Sequence, residues 1–570
     1  MAFLSTTDAF LLIVALACVW IGRSRSASPA LKLPPGPPGL PFLGNLLQVD
    51  PLRSYPQLLR WAQQYGDVFY LRLGLQDVIV LNTAKAADDL LTDRSKIYSG
   101  RVAPHVAQDI LSDGQRVLFM PHAREWKIAR RAMSAAAGPA AAKKIRPFQD
   151  MESRTAIYDL MCHSAKGDEG PRSSSTQASP GREVPEGHWF HLVRRFSTTV
   201  PMFVNYGKRI SRIVDNPQMD MVYDVVGNVT RVAQPGNYLA DVVPLLRKLP
   251  DWMAPWRVEA RRMHEWEMSL FGGLLDEEKV ALSEGTVRDT FLNTYLRARS
   301  AAGHAEAPGN GLAGDTWMRD KLLAYTAGSL LEAASDTTAA AVLTFVLALL
   351  NNPPVLQRAR EEVDSIVGPD RMPTFDDEEN LPYVVACIQE TLRCHPPAIT
   401  GVPHRADEDD EYKGYRIPKG ATVIGNVWAI HMNPVRYPDP TKFIPDRHLG
   451  GPPLRRAGGP DLEGRAHYAF GFGRRFCGGK DVAEGSLFIL CARLLWGVDF
   501  RAPTDPVTGK PRVPDFADED GTWSTGFIAV PKLFDVQFAP RSEKYETIIR
   551  RSFEELQDEW RDMGLLPDER

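Results

Sequence analysis

Cysteine is sparse and scattered in this chain. Its 570 residues include only six (Cys18, Cys162, Cys387, Cys394, Cys477 and Cys491), with no CxxC pair. That spacing excludes both the dense disulfide framework of small secreted domains and a cysteine-rich zinc module, and it suits a reduced, cytosolic body. Histidine is thin as well. The twelve histidines form neither HExxH nor a CxxC-to-HxxxH arrangement, so hydrolytic or structural zinc has no support. Any bound metal must then rest on one cysteine. No GxGxxG follows a strand pattern, which leaves the chain without a flavin or nicotinamide site of its own. It also lacks an excess of positive charge: a formal net charge of -4 gives no basic field, and without a nucleic-acid motif no nucleic acid is expected as a partner. There is no internal repeat.

What is present is the composition of a packed enzyme, with 44% apolar and 24% charged residues. The chain opens on MAFLSTTDAFLLIVALACVWIG, in which Asp8 is the only charge, and then meets Arg23, Arg25 and Lys32. An acid before the apolar run and bases after it are the reverse of a signal peptide. Residues 1–25 are therefore expected to be a single-pass N-terminal membrane anchor that leaves the body on the cytosolic side. Residues 26–45 contain LKLPPGPPGLPFLGN, whose prolines favour an extended, semi-rigid neck. The body, residues 46–540, begins with a helical pattern over 55–65 and two strands around a Gly74 turn. Residues 165–187, 300–314 and 450–465, rich in glycine, proline, serine and charge, are predicted to be surface loops. The rest is mostly long helical patterns with a few late strands (GYRIP, ATVIGN, LFDVQF), so the fold class is mainly α (α+β): a helix-rich body with a small β-sheet. Residues 541–570 place Ile548, Phe553, Leu556 and Trp560 on a charged background. This is an amphipathic helix that either docks on the body or binds a partner.

The strongest chemical signal is FGFGRRFCGG, where Phe470, Gly473, Arg475, Cys477 and Gly479 fill an FxxGxRxCxG frame ahead of a helical run. A free cysteine is often only a buried structural thiol. Here glycines permit close approach of the backbone to a flat ligand, and a following helix N-terminus favours thiolate. Arg475 is placed to pair with a carboxylate of that ligand. A thiolate bound to haem iron donates electron density and favours cleavage of the O–O bond.

On these residues the sequence resembles the cytochrome P450 family of haem-thiolate monooxygenases, from the proline-rich neck to about residue 540. The resemblance implies haem b with Cys477 as its axial iron ligand and Phe470 and Gly479 in the ligand loop. Three further motifs fall into the family's layout. Glu390 and Arg393 form an ExxR pair on one helical face, and with Phe443, Pro445 and Arg447 of FIPDRH they imply a buried structural network behind the haem. Trp126 and Arg130, a WxxxR spacing, match positions that bond a haem propionate, as do Arg475 and His404. Residues 316–351, apolar nearly all round, read as a central buried helix ending at Asn352-Pro353. Within it Asp336 and Thr337 match the acid–alcohol pair that relays protons for oxygen activation. Alone, such a threonine bonds its own helix. Ala334 stands where the family often has glycine, a departure that narrows the oxygen-side groove.

The implied reaction inserts one atom of O2 into a hydrophobic small molecule. Electrons would come from a separate NADPH-cytochrome reductase in the endoplasmic reticulum membrane. Substrate-facing positions carried over from the family are the stretch from Arg101 to Met120, Leu330 to Ala334, Ala398 to Val402 and Trp523 to Phe527. The run from Ile399 to Pro434 is similar to filamentous-fungal biosynthetic members such as the O-methylsterigmatocystin oxidoreductase group, which implies a secondary-metabolite substrate. Two other classes fit the thiolate motif: a haem-thiolate isomerase or dehydratase that needs no outside electrons, and a non-catalytic haem sensor or carrier. Neither needs the Asp336–Thr337 pair.

Overall fold

The computed structural model describes residues 31–163, 188–211, 216–234, 236–451 and 465–566. The expected anchor, all of the first predicted loop, most of the third, and the last four residues lie outside these.

The organising element is the helix Asp320–Asn351, whose side chains from Leu322 to Leu349 are buried on almost every face. Its sequence allows this because small and branched apolar residues, not charges, ring the second half. It starts four residues later than the pattern predicts. Trp317–Met318 pairs instead with Leu312–Ala313 as a short antiparallel ribbon, and Arg319 caps the helix. Pro353 ends it by opening the next helix, Pro353–Ile366. This central helix is the one candidate among the described residues with the length and apolarity to cross a membrane, yet most of it is enclosed by protein. Core burial explains its composition.

Packed around it are Trp189–Tyr206, Pro255–Ser283, Pro382–Cys394 and Lys480–Gly497. The sheet sits to one side. Val68–Leu73 and Gln76–Leu81 pair antiparallel around Gly74, which takes a positive φ of 63°. Gln76–Leu81 runs parallel to Thr422–Gly425, and His404–Arg405 closes the edge with His404 opposite Val423. Two predicted strands are as expected, Tyr415–Ile417 and Thr422–Gly425. The third is shorter: in LFDVQF only the end is strand, as Gln537–Pro540 pairs with Val498–Arg501.

The last helix, Glu543–Asp562, lies on the helix Pro139–His163. Ile549, Leu556 and Trp560 are fully buried, and Phe553 stacks on Tyr158 at 3.7 Å. Arg541 holds Asp364 through both guanidinium nitrogens, at 2.7 and 2.6 Å. The amphipathic stripe is thus spent on the body and is part of its core. Phe553→Ala, which removes a half-buried stacked ring, is expected to lower stability to urea by about 1–2 kcal/mol. No change in the midpoint would show a helix that is undocked in solution.

Candidate functional site

The cysteine loop is built by backbone constraints. Cys477 N–H donates to the Phe470 carbonyl at 2.9 Å, closing the loop on itself. Gly473 has φ +50°, and a Cβ there would lie 2.0 Å from the Leu91 carbonyl oxygen, so both the turn and the packing demand glycine. A Cβ on Gly478 would meet Arg130 Nη1 at 2.7 Å. Gly479 caps the helix Lys480–Gly497. Cys477 lies deep in the protein, yet much of its surface is free. That surface faces inward, onto a cavity of about 410 Å³ that Cys477, Gly478, Gly479 and Phe470 all line. Burial pushes the Cys477 thiol up, opposed by the Gly479 N–H and by Arg130. The helix terminus alone does not make it a thiolate; a cation at the sulfur would.

One wall of the cavity carries Arg101, Arg130, Arg475 and His404. Arg475 donates to the carbonyls of Ser99 (2.8 Å) and Met120 (2.6 Å), and its guanidinium lies 4.0 Å from the Trp126 ring centre. Arg130 donates to the Phe476 carbonyl, and Arg101 to those of Val402 and Pro403. His404 Nδ1 sits 2.8 Å from the Tyr98 carbonyl. Among the described residues no carboxylate forms an ion pair with any of these three guanidiniums. Burial and mutual repulsion therefore prevail: Arg475 is pushed down to about 9 by burial and by Arg130, with Asp407 opposing only weakly, and Arg101 and His404 fall well below their usual ranges. Arg101 Nε is buried without a partner. Such a cluster is costly unless an anion completes it. Beside an inward-facing thiol and in a mainly apolar cavity, it fits a flat iron macrocycle that carries two carboxylates.

The central helix forms another wall through Ala333, Ala334, Asp336, Thr337 and Thr338. Thr337 Oγ1 donates to the Ala333 carbonyl at 2.6 Å, and Asp336 Oδ1 lies 3.8 Å from Arg194 Nε. Ser335 points away and bonds Leu331, while its carbonyl accepts from Ser197 Oγ at 2.5 Å. The helix is thereby tied to Trp189–Tyr206 at the acid–alcohol pair.

Away from the cavity, Glu390 and Arg393 are fully buried and meet through two bonds of 2.7 and 2.8 Å. Glu390 also accepts from Arg447 Nε (3.2 Å) and the Ile444 N–H (2.9 Å). His448 Nε2 lies 2.8 Å from its other oxygen. The sequence reading missed His448, although it is the next residue of the same motif. Arg393 also donates to the carbonyls of His431, Pro440 and Lys442.

All nine predicted site residues are near one cavity, and every one lines it. Of the substrate-facing stretches, Val117 to Phe119, Leu330, Ala333, Ala398, Val402 and Phe527 line it, while Met120 and Trp523 do not. Trp523 is instead buried against His395, rings stacked at 3.3 Å. Unforeseen lining comes from Val200 and Val204 of Trp189–Tyr206 and from Val226 and Val229 of the helix Pro217–Val232. Their apolar spacing reads as ordinary core in the sequence.

Comparison with known proteins agrees with this geometry. The family model described as Cytochrome P450 matches residues 34–516. Cytochrome P450 monooxygenase 69 of Postia placenta is 51% identical over 570 residues, the whole of both chains. Cytochrome P450 monooxygenase fogE of Aspergillus ruber is 36% identical over 95% of this chain and 93% of its own. Cytochrome P450 monooxygenase virE of Hypocrea virens is 35% identical over 94% and 89%. With an inward-facing cysteine, an unpaired guanidinium cluster and an acid–alcohol pair around one apolar cavity, this chain belongs to the cytochrome P450 family and is a haem b monooxygenase, an oxidoreductase that uses O2 and a redox-partner reductase.

Proposed function

We propose that the chain hydroxylates a hydrophobic fungal secondary metabolite, with Cys477 as the residue that would supply the haem thiolate. Its electrons come from an NADPH-cytochrome reductase on the endoplasmic reticulum membrane, where residues 1–25 anchor it with the haem domain, residues 46–540, in the cytosol. The observation that carries this reading is that Cys477 and the pair Asp336–Thr337 face into one apolar cavity. Haem supplies the binding and reductive cleavage of O2, with one atom going to substrate and the other, with two protons, to water. The chain supplies the rest. Arg101, Arg130, Arg475 and His404 would hold the propionates, whose charge would offset the repulsion among them. Gly478 and Gly479, with no side chain beside Cys477, would leave room for the ring at the sulfur, Phe470 would line that space, and Trp126 fixes Arg475. The valines of Trp189–Tyr206 and Pro217–Val232 exclude water and bind apolar substrate. Thr337 Oγ1, donating to Ala333, keeps lone pairs free to accept from a water in the cavity. Asp336, toward Arg194, holds the proton source.

Thr337→Ala is expected to leave the thiolate spectrum and substrate binding intact. In a reductase-coupled assay, product per NADPH should fall by up to about 10²-fold, the low end of what positioned proton transfer contributes, with more hydrogen peroxide released. Undiminished coupling would leave Thr337 a helix-bonded hydroxyl. Product without NADPH consumption would instead mark an isomerase or dehydratase, and no turnover of any candidate a sensor or carrier.

A further inference from the structure

One polar feature of the cavity is used by neither the haem site nor the acid–alcohol pair. Arg116 and Glu332 both line the cavity and form an ion pair. Arg116 also binds Glu267 at 2.6 Å and, through Nε, Ser112 Oγ at 2.8 Å. Glu267 in turn accepts from Tyr325 at 3.0 Å. Two carboxylates therefore share one guanidinium in the interior, where each unpaired charge is expensive.

Glu267 alone suffices to neutralise Arg116, and it is fully buried away from the cavity. Glu332 adds a second negative charge that the packing does not require. It stands one helical turn before Asp336, on the same face of the central helix, and keeps some exposed surface in a mainly apolar cavity. Its Oε1 has no hydrogen-bond partner, nor do Ser329 Oγ and Asn205 Oδ1, two further buried atoms of cavity-lining residues. Burial pushes both Glu267 and Glu332 up, Glu267 to about 7, against the opposing pull of Arg116. A carboxylate has acceptor capacity beyond its bond to Arg116, so the group that completes Glu332 at the cavity is a donor.

We propose that Glu332, held in place by Arg116, is a specificity-determining residue that accepts a hydrogen bond from a hydroxyl group on an otherwise apolar substrate. This rests on reading the cavity as the monooxygenase substrate site, and it narrows the substrate class from hydrocarbon-like to hydroxylated molecules. The hydroxyl seated at Glu332 fixes which face of the substrate is presented for oxidation.

The test is binding to the oxidised full-length haem protein, followed by the ligand-induced Soret shift. Three probes share one ring system: 2-naphthol, 2-methoxynaphthalene and the 2-naphthyltrimethylammonium ion. The unmodified protein is expected to bind 2-naphthol at least tenfold more tightly than the methyl ether. Glu332→Leu should bring that ratio to about one with the carbon monoxide spectrum unchanged. Glu332→Gln, which keeps a neutral acceptor and the side-chain volume, should retain part of the preference and decides the matter if the leucine variant does not fold. Equal binding of naphthol and ether by the unmodified protein, or a preference that survives both substitutions, overturns the proposal. So does tightest binding of the ammonium ion, which offers charge but no donor. Failure of the parent reading looks different: there the reduced, carbon monoxide-treated protein lacks the thiolate band and no probe moves the Soret peak.

Discussion

Cys477→Ala is expected to abolish the red-shifted Soret band of the reduced, carbon monoxide-treated protein and to eliminate product formation in the reductase-coupled assay. The effect should be total because, among the described residues, no other cysteine can take its place. Cys387, Cys394 and Cys491 are buried, and burial pushes all three thiols up. None of them, nor Cys162, lines the large cavity. The cationic wall at Arg101, Arg130 and Arg475 is untouched by the substitution, so haem can still be drawn into the cavity by its propionates. Residual haem in the alanine variant would then carry the spectrum of a protein without thiolate ligation. That combination separates the two halves of the site: charge recruits the cofactor, sulfur sets its chemistry. An unchanged spectrum would remove Cys477 as the ligand.

The parts of this site that were legible in the sequence are those in which local backbone chemistry leaves a local signature. Gly473 is forced by φ and by the Leu91 carbonyl, so the loop around Cys477 reads as a motif. Glu390 and Arg393 lie one turn apart, and helix geometry brings them together without knowledge of the fold. The parts that were not legible are assembled across distance. Arg116 and Glu332 are 216 residues apart; the family's layout places each in a substrate-facing stretch, but nothing in the sequence shows that they pair. Arg101 joins the cationic wall of the cavity where the carbonyls of Val402 and Pro403, just before the strand His404–Arg405, accept from its guanidinium. The valines of Trp189–Tyr206 and Pro217–Val232 face a cavity with the same periodicity they would need to face a core. Boundaries slipped for a related reason: Trp317 and Met318 suit a helix by composition, but a two-residue ribbon partner, Leu312–Ala313, claims their backbone.

Glu390→Gln is expected to cost about 3–5 kcal/mol of stability at neutral pH, the range for breaking one side of a buried ion pair. The side chain keeps its size, so the loss comes from charge and hydrogen bonding alone. Glu390 accepts from both Arg393 nitrogens, from Arg447 and from the Ile444 N–H, with His448 at its second oxygen. A neutral amide offers one acceptor in place of two and turns a donor toward cations that are themselves buried. These partners also carry the structure outward. Arg393 pins the carbonyls of His431, Pro440 and Lys442, and His431 in turn accepts from the Tyr468 N–H at 2.7 Å, two residues before Phe470 and the cysteine loop. Weakening Glu390 should therefore loosen the loop that presents Cys477, and haem retention should fall along with the unfolding midpoint. The pH dependence gives an independent check. Burial raises the Glu390 carboxyl, but its bonds to Arg393 and His448 outweigh this and hold it down to about 2, against an ordinary value of 4.5. A carboxyl depressed on folding contributes stability that is fully present above its unfolded value. That contribution is lost as pH falls through the window from about 4.5 to about 2. The shift corresponds to about 3 kcal/mol, in line with the mutational cost. Urea unfolding followed by far-ultraviolet circular dichroism from about pH 6 down to about pH 3 enters the upper part of that window. There the acid-side slope of the unmodified protein should be reduced in Glu390→Gln. Equal slopes in the two proteins would place the acid sensitivity elsewhere and leave the Glu390 network a minor contributor to the fold.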